Sequence, residues 1–158
     1  MTDSTAGPAL HVVLLEPEIP QNTGAIGRLC AATGAVLHLA GRLGFSLDDR
    51  YLRRARLDYW SHVDVVLHAG LEEALAAAAP ERVFYLSARA GRSYTACRFR
   101  AGDYLVFGRE STGLPPDLLA REPERTFAIP ISGPVRSINL ACAVSVVVYE
   151  ALRQMGRA

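Results

Sequence analysis

The stretch LHVVLLEPEIPQNTGAIGRLCAATGAVLHLA, residues 10–40, places two apolar runs on either side of a helical segment. The runs LHVVLLE and AVLHLA are continuous rather than alternating, which is typical of parallel strands buried on both faces. Between them, Asn22 or Thr23 can cap a helix with apolar residues at helical spacing, and Gly34 can end it. This unit predicts an α/β fold built on a parallel sheet.

Four further apolar runs extend the pattern along the chain, at residues 64–68, 82–87, 103–108 and 125–131. Helical segments are predicted between them, at 46–57, 71–79 and 115–120. A last helix is predicted from near Ile138 towards Gly156, because its apolar residues keep helical spacing over a length that exceeds a normal strand. The sequence therefore predicts one α/β domain, residues 10–158, with a mainly parallel six-stranded sheet flanked by helices, after a disordered tail at 1–9.

The last helix is apolar on most of its circumference, because valine and alanine dominate residues 140–151. Such a helix has to be covered on nearly every side. In a domain of this size we expect a second copy of the chain to supply part of that cover.

Composition limits the classes of protein to consider. The chain is 50% hydrophobic and 21% charged, as in globular domains, and no apolar run reaches the roughly 18 residues of a membrane span. The N-terminal residues lack a secretory signal pattern. The three cysteines are scattered, without metal-ligand spacing, which predicts neither a disulfide framework nor a metal site and favours a cytoplasmic location.

All seventeen basic residues are arginine, a side chain that binds phosphate in a planar, bidentate manner. Residues 50–60 place Arg50, Arg53 and Arg54 on one helical face, followed by Tyr59 and Trp60. Residues 88–102 also interleave arginines with aromatic rings. Both regions are interpreted as RNA contacts, and a solvated charged face is the open alternative for each.

Polar, glycine-bearing loops follow four of the predicted strands, and the carboxyl ends of parallel strands are where such sheets bind ligands. The dinucleotide pattern GxGxxG, the P-loop and the GxSxG elbow are all absent. The four histidines are not paired with a nucleophile by any sequence pattern and are interpreted as structural or surface residues. They are His11, His38, His62 and His68.

Three segments carry a resemblance to a known family: EPEIPQNTGAIGRLCAATG (16–34), YLVFGRESTGLP (104–115) and IPISGPVRSINLACAVSVVVYEA (129–151). Taken in order, they resemble the three motifs of the SPOUT-class RNA 2′-O-ribose methyltransferases. The chain is similar throughout to the short branch of that class, which methylates the wobble cytidine or uridine of tRNA.

The resemblance implies a trefoil-knotted α/β fold and a homodimer formed through the first and last helices. It also implies S-adenosyl-L-methionine as cofactor and the tRNA anticodon loop as substrate. The implied reaction is methyl transfer to the ribose 2′-hydroxyl of the wobble nucleotide, with no metal and no membrane partner.

Site residues are carried over by motif position. The cofactor-binding positions are Leu86, Gly108, Ile129, Ile131 and Ser137. The catalytic positions are Asn22, Arg28, Glu110, Asn139 and Tyr149. The RNA-binding positions are Arg50, Arg53, Arg54 and Arg136.

Within this set, Arg28 is the family's proposed base; orienting the hydroxyl or binding the adjacent phosphate is the open alternative, because a guanidinium is normally protonated. Glu110 is expected to position Arg28, whereas Ser137 and Asn139 are expected to fix the cofactor loop at the head of the last helix. The segments ISGPV and NLACA differ from the sequence that is usual in this branch. The differences lie where local contacts with the cofactor are expected.

Two other functions remain open from the sequence. One is a non-catalytic RNA-binding or nucleotide-sensing domain on the same scaffold, and the other is an unrelated small-molecule α/β enzyme.

Overall fold

The computed structural model describes residues 7–48, 50, 52, 54 and 59–158, and it contains the six predicted strands. They are β1 Leu10–Leu15, β2 Val36–Ala40, β3 Val65–His68, β4 Val83–Leu86, β5 Asp103–Phe107 and β6 Thr126–Phe127. Their order in the sheet is β3-β2-β1-β5-β4-β6, and every neighbouring pair is parallel. The predicted α/β class and six-stranded parallel sheet are confirmed; the trefoil knot stays a prediction.

The α-helices bounded within the described residues are α1 Pro20–Thr33, α2 Leu71–Ala74 and α3 Pro116–Arg121, which lie between strands, and α4 Leu140–Gln154, which follows β6. Residues 50, 52 and 54 are also helical. Single turns of 3-10 helix occur at Trp60–His62, Pro80–Arg82, Tyr94–Ala96 and Pro123–Arg125.

The ends of the two long helices differ slightly from the predicted ones. The first helix begins at Pro20, ahead of the predicted Asn22 or Thr23 cap, because proline suits the first turn, where no intrahelical N–H bond is needed. It ends as predicted at Gly34, which has a positive φ of 72° and donates its N–H to the Cys30 carbonyl. The last helix begins at Leu140, since the Asn139 side chain caps it by accepting the Cys142 N–H at 3.2 Å.

The segment 71–79 forms only one helical turn, which ends at Ala74. The predicted length was wrong because the alanines that follow offer little side-chain surface to pack. A short helix gains most of its stability from packing rather than from propensity.

Two apolar layers cover the sheet. On one face α1 and α4 pack together, and α4 buries Val144, Val147, Val148 and Ala151 completely. The opposite face is covered by the short helices α2 and α3 and forms a smaller core. The uncovered side of α4 is a stripe of exposed residues at helical spacing. It consists of Cys142, Val146, Tyr149 and Arg153.

The predicted N-terminal tail lies mostly outside the described residues, which begin at Gly7. Ala9 is buried against the core, and its carbonyl accepts the Gly102 N–H at 3.0 Å. Ala9 therefore belongs to the folded domain, whereas the prediction placed it in the disordered tail. None of the helices in the described part of the chain is long and apolar enough to cross a bilayer.

Three histidines form a hydrogen-bonded row across β1, β2 and β3. His11 Nδ1 lies 2.9 Å from His38 Nε2, and His38 Nδ1 lies 2.8 Å from His68 Nε2. The Tyr104 ring on β5 stacks on His11 at 4.1 Å between ring centroids. The row therefore ties four adjacent strands together on one face of the sheet.

Stability should decrease in mild acid because of this row. Burial, together with the neighbouring rings, lowers the pKa of His38 to about 4, whereas an unfolded histidine has a pKa of about 6.5. Between these values the unfolded chain binds a proton that the native chain does not, so acid favours unfolding. We expect the free energy of unfolding in urea to change little between about pH 7 and pH 8 and to fall towards pH 4.

The variant His38→Gln separates this effect from other acid-labile groups. It should be less stable than the parent at pH 8, because a buried hydrogen-bonding partner is lost. Its stability should nevertheless depend less steeply on pH between 6.5 and 4. An unchanged slope would mean that other groups cause the acid sensitivity.

Candidate active site

The candidate site lies at the carboxyl edge of β5, β4 and β6, which are neighbours in the sheet. Leu86 pairs in register with Phe107 and with Phe127. The chain therefore leaves these three strands at the same level. The loops that start after these positions contain Gly108 and residues 129–139, so the predicted cofactor positions converge on one edge.

Gly108 is glycine because the loop after β5 folds tightly back on itself. A side chain at this position would overlap the backbone of Gly113 and Leu114. Arg109 and Gly113 close the loop with a pair of backbone hydrogen bonds, of 3.2 and 2.9 Å, and Gly113 has a positive φ of 68°. The space beside Gly108 is thus filled by the chain's own backbone rather than left for a ligand.

The segment 129–139 follows β6 without regular secondary structure, with bends at 133, 134 and 136, and is largely exposed. Ile129 and Ile131 are half-buried, and residues 132–139 are exposed. Among the described residues, the backbone groups of 129–138 form no hydrogen bonds with one another or with the rest of the chain. Apolar side chains next to unpaired backbone groups suit a flat, polar-edged ligand.

Glu110 holds the beginning of α1 through its carboxylate. Its Oε2 accepts the Glu18 N–H at 2.8 Å, and its Oε1 accepts the Ile19 N–H at 3.1 Å. These N–H groups lie where the positive end of the helix dipole favours an anion. Glu110 therefore joins the loop after β5 to the first helix.

Asn22 and Asn139 extend this contact to the last helix. The Asn22 amide donates to Glu110 Oε1 at 3.4 Å, and the Asn139 amide donates to Asn22 Oδ1 at 3.0 Å. Asn22 is only 6% exposed, whereas Asn139 is exposed, so these bonds are partly buried. Three of the predicted catalytic residues thus form one continuous network.

Two further contacts join the same loops, and the sequence did not identify them. Glu18 accepts both the Ser111 N–H at 3.0 Å and its hydroxyl at 2.9 Å, which lowers the pKa of the Glu18 carboxyl. Glu16 forms an ion pair with Arg109. The sequence signal for these contacts is that Glu16 and Glu18 have the same two-residue spacing as Arg109 and Ser111. This spacing indicates two contacts only once β1 and β5 are known to be neighbours.

Arg28 is exposed on α1 and does not contact Glu110 in the described structure. The Glu110 carboxylate is engaged by the start of the helix, and its role in positioning Arg28 stays a prediction. The Arg28 guanidinium instead lies over the Tyr59 ring, with Cζ 5.3 Å from the ring centroid.

The remaining predicted site residues are separate from this network. Ser137 and Arg136 are exposed in the segment before α4. Tyr149 is 49% exposed and lies ten residues along the helix from Asn139, about 15 Å at the normal helical rise. Arg50 and Arg54 are exposed, whereas Arg53 lies outside the described residues.

Residues 88–102, interpreted from the sequence as an RNA surface, are only partly exposed. Phe99 is only 6% exposed and packs in the core against Phe84. Arg92 lies over the Phe127 ring and donates to the Glu124 carbonyl at 3.0 Å. The burial of Phe99 shows that interleaved arginine and aromatic residues also occur where a loop covers a core, whereas the half-exposed Arg92 side chain stays a predicted RNA contact.

No group of three histidine, cysteine or acidic side chains that could hold a metal ion occurs among the described residues. The thiols of Cys30, Cys97 and Cys142 are free.

Known proteins share this architecture. The profile of the SpoU rRNA Methylase family matches residues 9–149. The tRNA (cytidine(34)-2'-O)-methyltransferase of Escherichia coli strain K12 is 48% identical over 148 residues, which is 93% of this chain and 94% of that protein.

Two solved structures are similar as well. One, from work on the 2-OH methylation of C/U34 on tRNA, is 54% identical, with a TM-score of 0.87 over 96% of this chain and 100% of that one. The AdoMet-bound rRNA methyltransferase from Sinorhizobium meliloti is 26% identical, with a TM-score of 0.81 over 96% of this chain and 58% of that one.

Proposed function

Because the chain belongs to the SpoU rRNA Methylase family, we propose that it transfers a methyl group from S-adenosyl-L-methionine to a tRNA ribose. The acceptor is the 2′-hydroxyl of the wobble nucleotide, cytidine or uridine 34. The observation that carries the substrate assignment is the near-full-length similarity to a tRNA (cytidine(34)-2'-O)-methyltransferase. The hydrogen-bonded network of Glu110, Asn22 and Asn139 supports a working enzyme over a retired scaffold.

The carboxyl edge of the sheet fits the cofactor. Ile129 and Ile131 offer apolar surface, whereas Leu86 is buried beneath this edge. The backbone groups of 129–138, which lack hydrogen bonds among the described residues, offer donors and acceptors for the adenine and ribose. Ser137 adds a hydroxyl close to the start of α4. When bound there, S-adenosyl-L-methionine supplies an electrophilic methyl group on a positively charged sulfur.

The protein's main contribution is to align the ribose oxygen, since correct alignment alone supplies much of the acceleration of such a transfer. Arg28 is exposed and can donate its N–H groups to the 2′ oxygen or to the neighbouring phosphate. Glu110, Asn22 and Asn139 act indirectly, by holding the start of α1, and with it Arg28, at a fixed place relative to the cofactor edge.

Contacts to the anticodon loop are assigned to Arg50, Arg54 and Arg136, whose side chains are exposed. Arg53 belongs to the same proposal by its place in the sequence. Phosphate contacts of this kind hold the substrate without reading its sequence.

We place a second copy of the chain on the exposed stripe of α4. Val146 is 38% and Tyr149 is 49% exposed there, and Ile138 and Val135 extend the apolar surface to 39% and 59% exposed residues just before the helix. Contiguous exposed apolar surface of this kind marks a site of association. The proposed homodimer would cover the last helix on its remaining side, next to α1.

A charge on this stripe should separate the two copies. We expect Val146→Glu to shift the protein from dimer to monomer in sedimentation equilibrium, because an uncompensated charge would be buried at the interface. The matched control is Glu72→Gln on α2, on the opposite face of the sheet, which should leave the mass unchanged. A parent protein that is already monomeric would contradict the proposed dimer.

The free thiols and the tRNA substrate together support a cytoplasmic location.

The proposed activity is tested by incubating the protein with methyl-labelled S-adenosyl-L-methionine and bulk tRNA, followed by nucleoside mapping. We expect label in 2′-O-methylcytidine or 2′-O-methyluridine at position 34. A tRNA with a 2′-deoxy nucleotide at position 34 is the matched control and should accept no label. Label at another position, or in the control, would contradict the wobble assignment.

The competing function is a non-catalytic RNA-binding domain on the same scaffold. It predicts tRNA binding without any incorporation of label, so the same experiment distinguishes the two.

A further inference from the structure

The Tyr59 side chain contacts both ends of one turn of α1. Its hydroxyl donates to the Gly24 carbonyl at 2.6 Å, and its ring lies beneath the Arg28 guanidinium. Gly24 and Arg28 are four residues apart and hence on the same face of the helix. The hydroxyl thus fixes the ring to the helix that carries Arg28.

The neighbouring Trp60 packs against the same turn of α1. Its ring packs so closely on Gly27 that a methyl group at position 27 would come within 2.5 Å of the indole. A glycine in the middle of a helix costs about 1 kcal/mol relative to alanine. The close fit of Trp60 explains why the helix has no side chain there, one residue before Arg28.

An exposed arginine has several rotatable bonds and loses much conformational freedom when it is fixed for a reaction. A cation held over an aromatic face is attracted by the ring's electron-rich face. The Tyr59 ring, itself anchored at Gly24, restricts the Arg28 guanidinium to fewer directions. The Tyr59 ring thus contacts the Arg28 guanidinium directly. Glu110, which the sequence suggested for positioning Arg28, has its carboxylate engaged by the start of α1.

We propose that Tyr59 is a positioning residue for methyl transfer, and that its aromatic face orients the Arg28 guanidinium before the ribose arrives. This inference rests on the proposed function of Arg28. It reassigns a ring that the sequence had suggested as a stacking surface for an RNA base.

Three variants of the protein test which part of Tyr59 is needed. Tyr59→Phe keeps the ring and removes the hydroxyl, whereas Tyr59→Leu removes the ring and keeps apolar bulk. Pentafluorophenylalanine at position 59 keeps the shape of phenylalanine but reverses the charge of the ring face. This third variant preserves the test if Tyr59→Leu lowers the melting temperature.

We expect kcat to fall about fivefold in Tyr59→Leu and in the pentafluorophenylalanine variant, the size of an exposed cation–π contact. The KM values for S-adenosyl-L-methionine and tRNA should not change. Tyr59→Phe should keep kcat within about twofold of the parent. A kcat equal to the parent's in the pentafluorophenylalanine variant, or an equally large loss in Tyr59→Phe, would overturn the proposal.

A second measurement does not depend on activity. The side-chain Nε–Hε resonance of Arg28, assigned as the signal lost in Arg28→Ala, should show the upfield shift caused by a ring face. The shift should persist in Tyr59→Phe and disappear in Tyr59→Leu. If the parent transfers no methyl group, the proposed function fails, and this resonance still decides whether Tyr59 holds Arg28; a resonance identical in all variants overturns that role.

Discussion

Replacing Arg28 by alanine should lower kcat for methyl transfer to tRNA by about 10²- to 10³-fold, the range for losing one donor aimed at reacting atoms. Both open roles of Arg28, base or orienting donor, require its guanidinium near the 2′-hydroxyl. The side chain is exposed, and the only described contact that would be lost is that with the Tyr59 ring. The melting temperature and the affinity for S-adenosyl-L-methionine should therefore stay close to those of the parent.

Two further variants sharpen this result. Arg28→Lys retains the charge but loses the planar, bidentate donor set, and should recover only part of the rate. Arg121→Ala removes an exposed arginine at the end of α3, on the other side of the sheet, and should act like the parent. Full activity in Arg28→Ala would contradict the assignment, and a loss of cofactor affinity would place Arg28 at the cofactor rather than at the ribose.

A methyl group at Gly108 should reduce both stability and activity. The new carbon in Gly108→Ala would overlap the backbone of Gly113 and Leu114, so the closed loop between Arg109 and Gly113 would have to open. Overpacking against backbone costs about 3 kcal/mol. Because Glu110 lies within this loop and holds the start of α1, we expect cofactor affinity and kcat to fall as well.

The measurements are urea unfolding and cofactor titration. Gly91→Ala is the matched control, because a methyl group there meets nothing within 4 Å. At such an unstrained position alanine should leave stability unchanged or raise it by less than about 1 kcal/mol. Equal stability of Gly108→Ala and Gly91→Ala would show that the loop relaxes without cost.

The strands could be predicted because their signal is local. Continuous apolar runs such as that of β1 identify strands buried on both faces, and the central strands β1 and β5 are indeed almost fully buried. Gly34 was also readable as a helix end, since it acts on backbone within four residues.

The parts of the site that were mispredicted depend on distant residues. The groups that Glu110 binds are at the start of α1, about 90 positions away, and the sequence alone did not identify them. Phe99 and Tyr59 follow arginines in the sequence, but each packs against a helix or a core that only the fold brings near. Composition indicates what such residues can bind and leaves their neighbours undetermined.

The bond between Asn22 and Asn139 joins positions 117 residues apart, and this has a consequence for synthesis. During translation the first helix and the β1 strand emerge long before the segment that completes the network. Closing so long a loop delays contact formation, because its entropy cost precedes any gain from the contact. A nascent chain should therefore remain unable to methylate until Asn139 has left the ribosome and the network has closed.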